Sequence, residues 1–146
     1  MIDVLFVNPG NAAAIYQDLA DNFSAIEPPT WALLLAQSAR SVGFVPAILD
    51  VNAERLSIVN AVERVKQISP RLICFVVYGQ NPNSGTVNMS GTVELAEAIK
   101  ADGIAIPVAA VGSHIRFAAR GARHRVGDRC RIVQRGCVCA AQPSVQ

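Results

Sequence analysis

The sequence predicts an α/β protein built on a doubly wound parallel sheet. Short apolar runs recur at Val4–Val7, Phe44–Leu49, Leu72–Tyr78 and Pro107–Val111, and segments of helical spacing separate them. The third run, Leu72-Ile-Cys-Phe-Val-Val-Tyr78, holds seven apolar or aromatic residues, three of them β-branched. A strand of that kind is covered on both faces and belongs in the middle of a parallel sheet. Alternating strands and helices joined by right-handed crossovers then give the strand order 2-1-3-4.

The elements follow in turn. Val4-Leu-Phe-Val7 is a short buried strand, closed by Asn8-Pro-Gly10, which cannot continue it. Between Asn11 and Glu27, Ile15, Leu19, Phe23 and Ile26 are spaced for a helical turn or two. Pro28-Pro29 stops any helix there, and Thr30 is placed to cap the next. Trp31, Leu34, Leu35 and Ser38 share one face of that helix, and Gly43 is its stop. The second strand contains Pro46, which suits an edge or a strand start. Ser57 caps a second helix with the buried stripe Ile58, Val62, Val65 and Ile68, closed by Pro70.

After the central strand, Gly79–Gly91 is thirteen residues rich in Gly, Asn, Ser and Thr, read as a long polar loop. Loops of that length are uncommon unless they serve a function. Ser90 or Thr92 would cap a third helix whose core face is Val93, Ala96 and Ile99, with Glu94 and Glu97 near its positive end. Asp102-Gly103 turns the chain into the fourth strand, which ends in Gly112-Ser-His114. In the order 2-1-3-4 the first and third strands are neighbours. The loops after Val7 and Tyr78 therefore open at one switch point, with Gly112 beside them, where ligands of open α/β sheets bind.

The chain lacks both G-x-G-x-x-G after its first strand and G-x-x-x-x-G-K-[ST] anywhere. Its switch-point loops offer Asn, Ser, Thr, Gln and backbone amides, with no cluster of Lys or Arg. That chemistry suits a large neutral or amide-rich ligand better than a polyphosphate. Glycines at 79, 85, 91 and 112 either admit a ligand to the backbone or serve turn geometry alone.

At 146 residues, 51% of them hydrophobic and 16% charged, the chain is sized for a single core. No apolar run reaches the roughly 18 residues of a membrane span. No basic n-region or cleavage site precedes the first strand, and a cytoplasmic location is expected. The net charge of +2 conceals a division. Residues 1–114 carry six Lys/Arg against ten Asp/Glu, whereas residues 115–146 carry seven Arg and one Asp. Three of the four Cys also lie in that tail.

Several segments in order carry a family resemblance: Val7-Asn-Pro-Gly10, Glu27-Pro-Pro-Thr-Trp-Ala-Leu-Leu-Leu-Ala36, Gly43-Phe-Val-Pro-Ala-Ile-Leu-Asp50, the central strand with its polar segment, Leu95-Ala-Glu-Ala-Ile-Lys100 and Val111-Gly-Ser-His114. Over residues 2–114 this succession resembles the amino-terminal cobalamin-binding domain of radical S-adenosylmethionine enzymes. The resemblance implies a flavodoxin-like, Rossmann-like fold holding cobalamin against the carboxyl ends of the strands. By position, Asn8, Pro9 and Gly10, then Tyr78, Gly79 and Gln80, then Gly112, Ser113 and His114 would line the cofactor. Where cobalamin-dependent methyltransferases and mutases use Asp-x-His-x-x-Gly, this chain has Asn8-Pro-Gly-Asn-Ala. The implied cofactor therefore lacks a lower histidine ligand. The Cys-x-x-x-Cys-x-x-Cys of the catalytic half is absent, so the iron–sulfur cluster and S-adenosylmethionine belong to a missing part of a parent enzyme. No catalysis by this chain itself is visible, and no protein metal ligand is assigned.

The tail does not follow the family, which continues with a helix, a fifth strand and an acidic Gly-Glu turn. Residues 115–146 read as an out-of-frame or disordered end, so the fold is expected to lack its fifth strand and to leave the fourth as an exposed edge open to self-association. Two functional alternatives for the tail are weaker. Its Arg residues with Phe117 could contact nucleic acid, and His124, Cys130, Cys137 and Cys139 could ligate zinc, although Cys-x-Cys lacks the usual gap. Two other classes compete for the domain. A flavin carrier would want hydroxyls after the first strand, where Asn8-Pro-Gly-Asn-Ala has none. A cofactor-free regulatory domain of the receiver type would want an Asp where Gly79 and Gln80 stand. Of the remaining residues, Cys74 reads as a small buried apolar side chain, and Trp31 as core or rim in preference to a cofactor platform. Asp50 reads equally as a ligand contact or a turn cap.

Overall fold

A computed structural model describes residues 1–10, 28–78 and 82–112. The helical turns expected within 11–27, the loop residues Gly79 and Gln80, and everything from Ser113 onward, including His114 and the whole tail, lie outside them. The elements are β1 (Val4–Asn8), α1 (Thr30–Ser41), β2 (Pro46–Asp50), α2 (Ile58–Ile68), β3 (Leu72–Val76), α3 (Pro82–Ala101) and β4 (Val108–Val111). The four strands form one all-parallel sheet in the order β2-β1-β3-β4, the expected doubly wound, flavodoxin-like arrangement. Pro46 is both the first residue of its strand and on an edge, where its missing N–H costs no ladder bond.

Alternation along the strands divides the core into two layers. Leu5, Val7, Leu49, Ile73, Phe75 and Val77 face α2 and α3, where Ala61, Val62, Val65, Leu95 and Ile99 bury them. Val4, Phe6 and Val76 face the other way, against Ala32 and Ala36 of α1. Ser57 caps α2 as expected, its hydroxyl accepting from the Asn60 N–H at 3.2 Å. Gly43 ends α1 with φ of +92°, a conformation that glycine adopts without a Cβ penalty.

Several helical expectations are corrected. Thr30 is the first residue of α1 rather than its cap; its hydroxyl donates to the Pro28 carbonyl at 3.4 Å. The sheet-facing stripe of α1 is Ala32, Ala36 and the partly buried Leu35 and Ala39, while Trp31 and Leu34 are 48% and 57% exposed and Ser38 is also exposed. Small side chains let the helix lie close to the strands, which turns the larger ones outward.

The largest correction concerns the polar loop. From Pro82 onward it is the beginning of α3, a helix of 20 residues. Proline is compatible with the first helical turn, where its missing N–H has no intrahelical partner. Thr92 does not cap the helix but lies buried inside it, its hydroxyl donating to the Asn88 carbonyl at 2.7 Å. Ser90 is also a mid-helix residue, exposed on the surface, and Glu94 and Glu97 are far from the first turn. From Asn88 onward the buried positions are Gly91, Thr92, Leu95 and Ile99, with Ala96 partly buried and Val93 exposed.

Candidate site at the carboxyl edge of the sheet

Because all four strands are parallel, their carboxyl ends share one edge. The ladder sets Val7 opposite Phe75, Val76 opposite Val111 and Asn8 opposite Asp50. The Val77 N–H extends the β3–β4 ladder by donating to the Val111 carbonyl at 2.7 Å. Asn8, Pro9, Gly10, Tyr78 and Gly112 are thereby gathered at one edge, on three adjacent strands. Gly79, Gln80, Ser113 and His114 complete the sequence-derived set but are not among the described residues.

Asn8 and Asp50 form the polar corner. The Asn8 Nδ2 donates to Asp50 Oδ1 at 3.1 Å, and the same oxygen accepts from the Ala53 N–H at 3.0 Å. Asp50 is thus a turn cap that also orients the Asn8 amide. The Val51 N–H donates to the Asn8 carbonyl at 3.1 Å, tying the turn after β2 to the end of β1.

The glycines serve the fold's own backbone. A Cβ on Gly10 would stand 2.5 Å from the Asn52 Cβ and 2.7 Å from its Cα. A Cβ on Gly112 would collide with the Val77 carbonyl group, 2.7 Å from its carbon. Gly91 lies within α3, so it shapes no turn. Pro9 is fully buried and contributes packing at the edge.

Tyr78 is held from two sides. Its ring stacks on that of Trp31, with centroids 4.7 Å apart and planes inclined by 28°. Its carbonyl accepts from the Asn88 Nδ2 at 3.1 Å. Neither partner is assigned to the site by the sequence. Trp31 read as core or rim, and Asn88 lay in a segment read as loop. The proline pair before α1 was the available signal, since it starts that helix at this edge and so brings Trp31 to it.

The described residues of the edge offer neutral amide and phenol groups beside an aromatic surface. In the described turns of this edge Arg55, after β2, is the only basic residue. Among the described residues no group of three His, Cys, Asp or Glu is arranged to hold a metal ion. The Cys74 thiol lies in the interior of β3, where burial pushes its pKa up to about 11, away from the thiolate needed for ligation. No described helix is long and apolar enough to cross a membrane. Neither a protein-family model nor a curated protein matches this chain.

Proposed function

We propose that the chain is a cobalamin-binding module, a fragment of a cobalamin-dependent radical S-adenosylmethionine enzyme. The observation that carries the reading is the convergence of Asn8, Tyr78 and Gly112 at one switch point. It is supported by the ordered resemblance over residues 2–114. The neutral donor and acceptor set fits an amide-fringed corrinoid, and a cobalt already enclosed by its macrocycle needs no metal-ligand cluster from the protein. When bound, the cofactor supplies organocobalt chemistry to a catalytic half carried elsewhere. The chain's own part is to seat it: the Asp50-oriented amide of Asn8 can hydrogen-bond a peripheral amide, and the clamped Tyr78 offers a phenol and a ring face.

The full chain should retain cobalamin through desalting and show its visible spectrum. Asn8→Leu, which keeps the side-chain volume but removes both polar groups, should reduce retention. A folded wild-type chain that emerges colourless would sink the reading. A flavin is the second reading, favoured by the aromatic pair at the edge and weakened by the absence of hydroxyls in Asn8-Pro-Gly-Asn-Ala. On either reading β4, at the sheet's edge, is a surface for self-association. Sedimentation that shows only monomer at high concentration would remove that element.

A further inference from the structure

The structure's least economical residue is Trp31, the single tryptophan of the chain, which is 48% exposed. It sits in the first turn of α1, about 100° around the helix from Ala32 on the stripe that meets the sheet. A tryptophan there adds little to the core, yet its ring is not loose. It is stacked on Tyr78, which Asn88 holds by the backbone. The pair therefore presents an ordered aromatic surface at the same carboxyl edge as the polar corner of Asn8 and Asp50, where ligands of this fold bind.

We infer that Trp31 is a stacking platform for a flat heteroaromatic ring of the ligand, with Tyr78 as its backing. This deepens the corrinoid reading and rests on it, because cobalamin carries such a ring in its benzimidazole base. An indole face held in place by a second ring binds a flat ring without first having to be ordered. Its selectivity comes from the π-face rather than from hydrogen bonds, so any flat heterocycle brought to this edge would use it.

The test uses the full chain, wild type and the variants Trp31→Phe, Trp31→Ala and Leu33→Ala. Leu33 is exposed on the same helix, about 200° around from Trp31. Three probes are titrated by equilibrium dialysis: hydroxocobalamin, cobinamide (the same corrin without the heterocycle) and flavin mononucleotide (a heterocycle without the corrin). Trp31→Ala should weaken hydroxocobalamin roughly ten-fold, with Trp31→Phe recovering most of the loss. Leu33→Ala should bind as wild type does, and cobinamide should not distinguish the variants. Thermal melts of the same samples identify any variant that fails to fold, and Trp31→Phe preserves a ring in that event.

Equal hydroxocobalamin affinity in Trp31→Ala and wild type would overturn the platform and leave the corrinoid reading standing. An equal loss for hydroxocobalamin and cobinamide would overturn it too, since the contact would then be to the corrin. Flavin binding that depends on Trp31, with no corrinoid binding, would keep the platform and overturn the corrinoid reading. A wild-type chain that binds none of the three would overturn both.

Discussion

Among the described residues, the two faces of the sheet are built to different standards. On one, α2 and α3 bury Leu5, Val7, Ile73, Phe75 and Val77 completely. On the other, α1 brings alanines to the strands, and Ile48, Leu72, Cys74 and Val111 remain only partly covered. Trp31, Leu34 and Val42 of the α1 region are exposed as well. The two-helix face holds the fold together, and the alanine-faced side keeps its large side chains available at the rim. A strand that runs between them, such as β3, has neighbouring residues with very different duties.

Truncating adjacent residues of β3 should separate the two faces most widely. Phe75→Ala should cost about 3–5 kcal/mol in urea unfolding, the range for deleting a buried aromatic ring. Cys74→Ala, one position earlier and facing α1's side, should cost less than about 1.5 kcal/mol. Similar costs at the two positions would show that the faces are equally packed.

Next in size is the seam at the carboxyl edge. Gly112→Ala forces a methyl against the Val77 backbone and should destabilise by about 1–3 kcal/mol. Gly103→Ala is the informative partner. Gly103 has open space around it but φ of +77°, so its substitution probes backbone strain of about 1 kcal/mol without collision. A harmless Gly112→Ala would mean that β3 and β4 separate easily at that end.

The sequence made the sheet legible and the α3 start illegible for the same reason. Leu72–Tyr78 reads as a buried strand because it is too short for a helix, rich in β-branched and aromatic residues, and bounded by Pro70 and Gly79. Asn81-Pro-Asn-Ser-Gly, by contrast, is built of residues that favour turns in isolation. Position in the fold overrides that preference further along the same helix: Asn88 bonds the Tyr78 carbonyl and Thr92 the Asn88 carbonyl, so polar side chains that would compete with a helix are used inside it. In α1 the error was one of size, since Trp31 and Leu34 looked like core beside mere alanines. At the site, Asn8, Tyr78 and the Asp50 turn cap could be found from strand ends alone, whereas the Trp31–Tyr78 stack and the Asp50–Asn8 bond depend on chain crossings that no local pattern records.

A smaller effect is expected from Asn88→Ala, which removes one hydrogen bond to the Tyr78 backbone and should cost about 0.5–1.5 kcal/mol. If Asn88 matters chiefly to the rim, Trp31 fluorescence should shift further than the unfolding midpoint does. Thiol chemistry samples the same face. Burial raises the Cys74 pKa to about 11, so its alkylation, followed by peptide mass spectrometry, should be slow at pH 8 and rise steeply toward pH 11. Rapid labelling at pH 8 would mean that the face opens in solution.

The least effect is expected where the sheet begins. Asp3 accepts from the Val45 N–H at 2.9 Å and pairs with Arg71 at 3.2 Å, and the backbone hydrogen bond first, then the guanidinium, lowers its pKa from 3.8. A lowered folded pKa means stability that is present above 3.8 and lost as the pH falls through the folded value. Asp3→Asn should therefore flatten the acid limb of the stability curve slightly and leave neutral pH almost unchanged. Lys66 has the opposite sign, its pKa raised by the hydrogen bond to Asp102, so its contribution is present below 10.5 and lost as the pH rises through the folded value.

The central place of β1 has a consequence for how the chain reaches this structure. Its partners lie far along the sequence: Asn8 pairs with Asp50, 42 residues on, and Asp3 meets Arg71 after 68. A nascent chain completes β1 well before either neighbour exists, so one edge of the strand stays open until residues 46–50 have been made and the other until residues 72–76 have been made. Parallel pairing across such separations is slow, because each closure orders a long loop before any ladder bond rewards it. The interval before β3 arrives is when Val4-Leu-Phe-Val7 is most open to capture by another chain or by a chaperone.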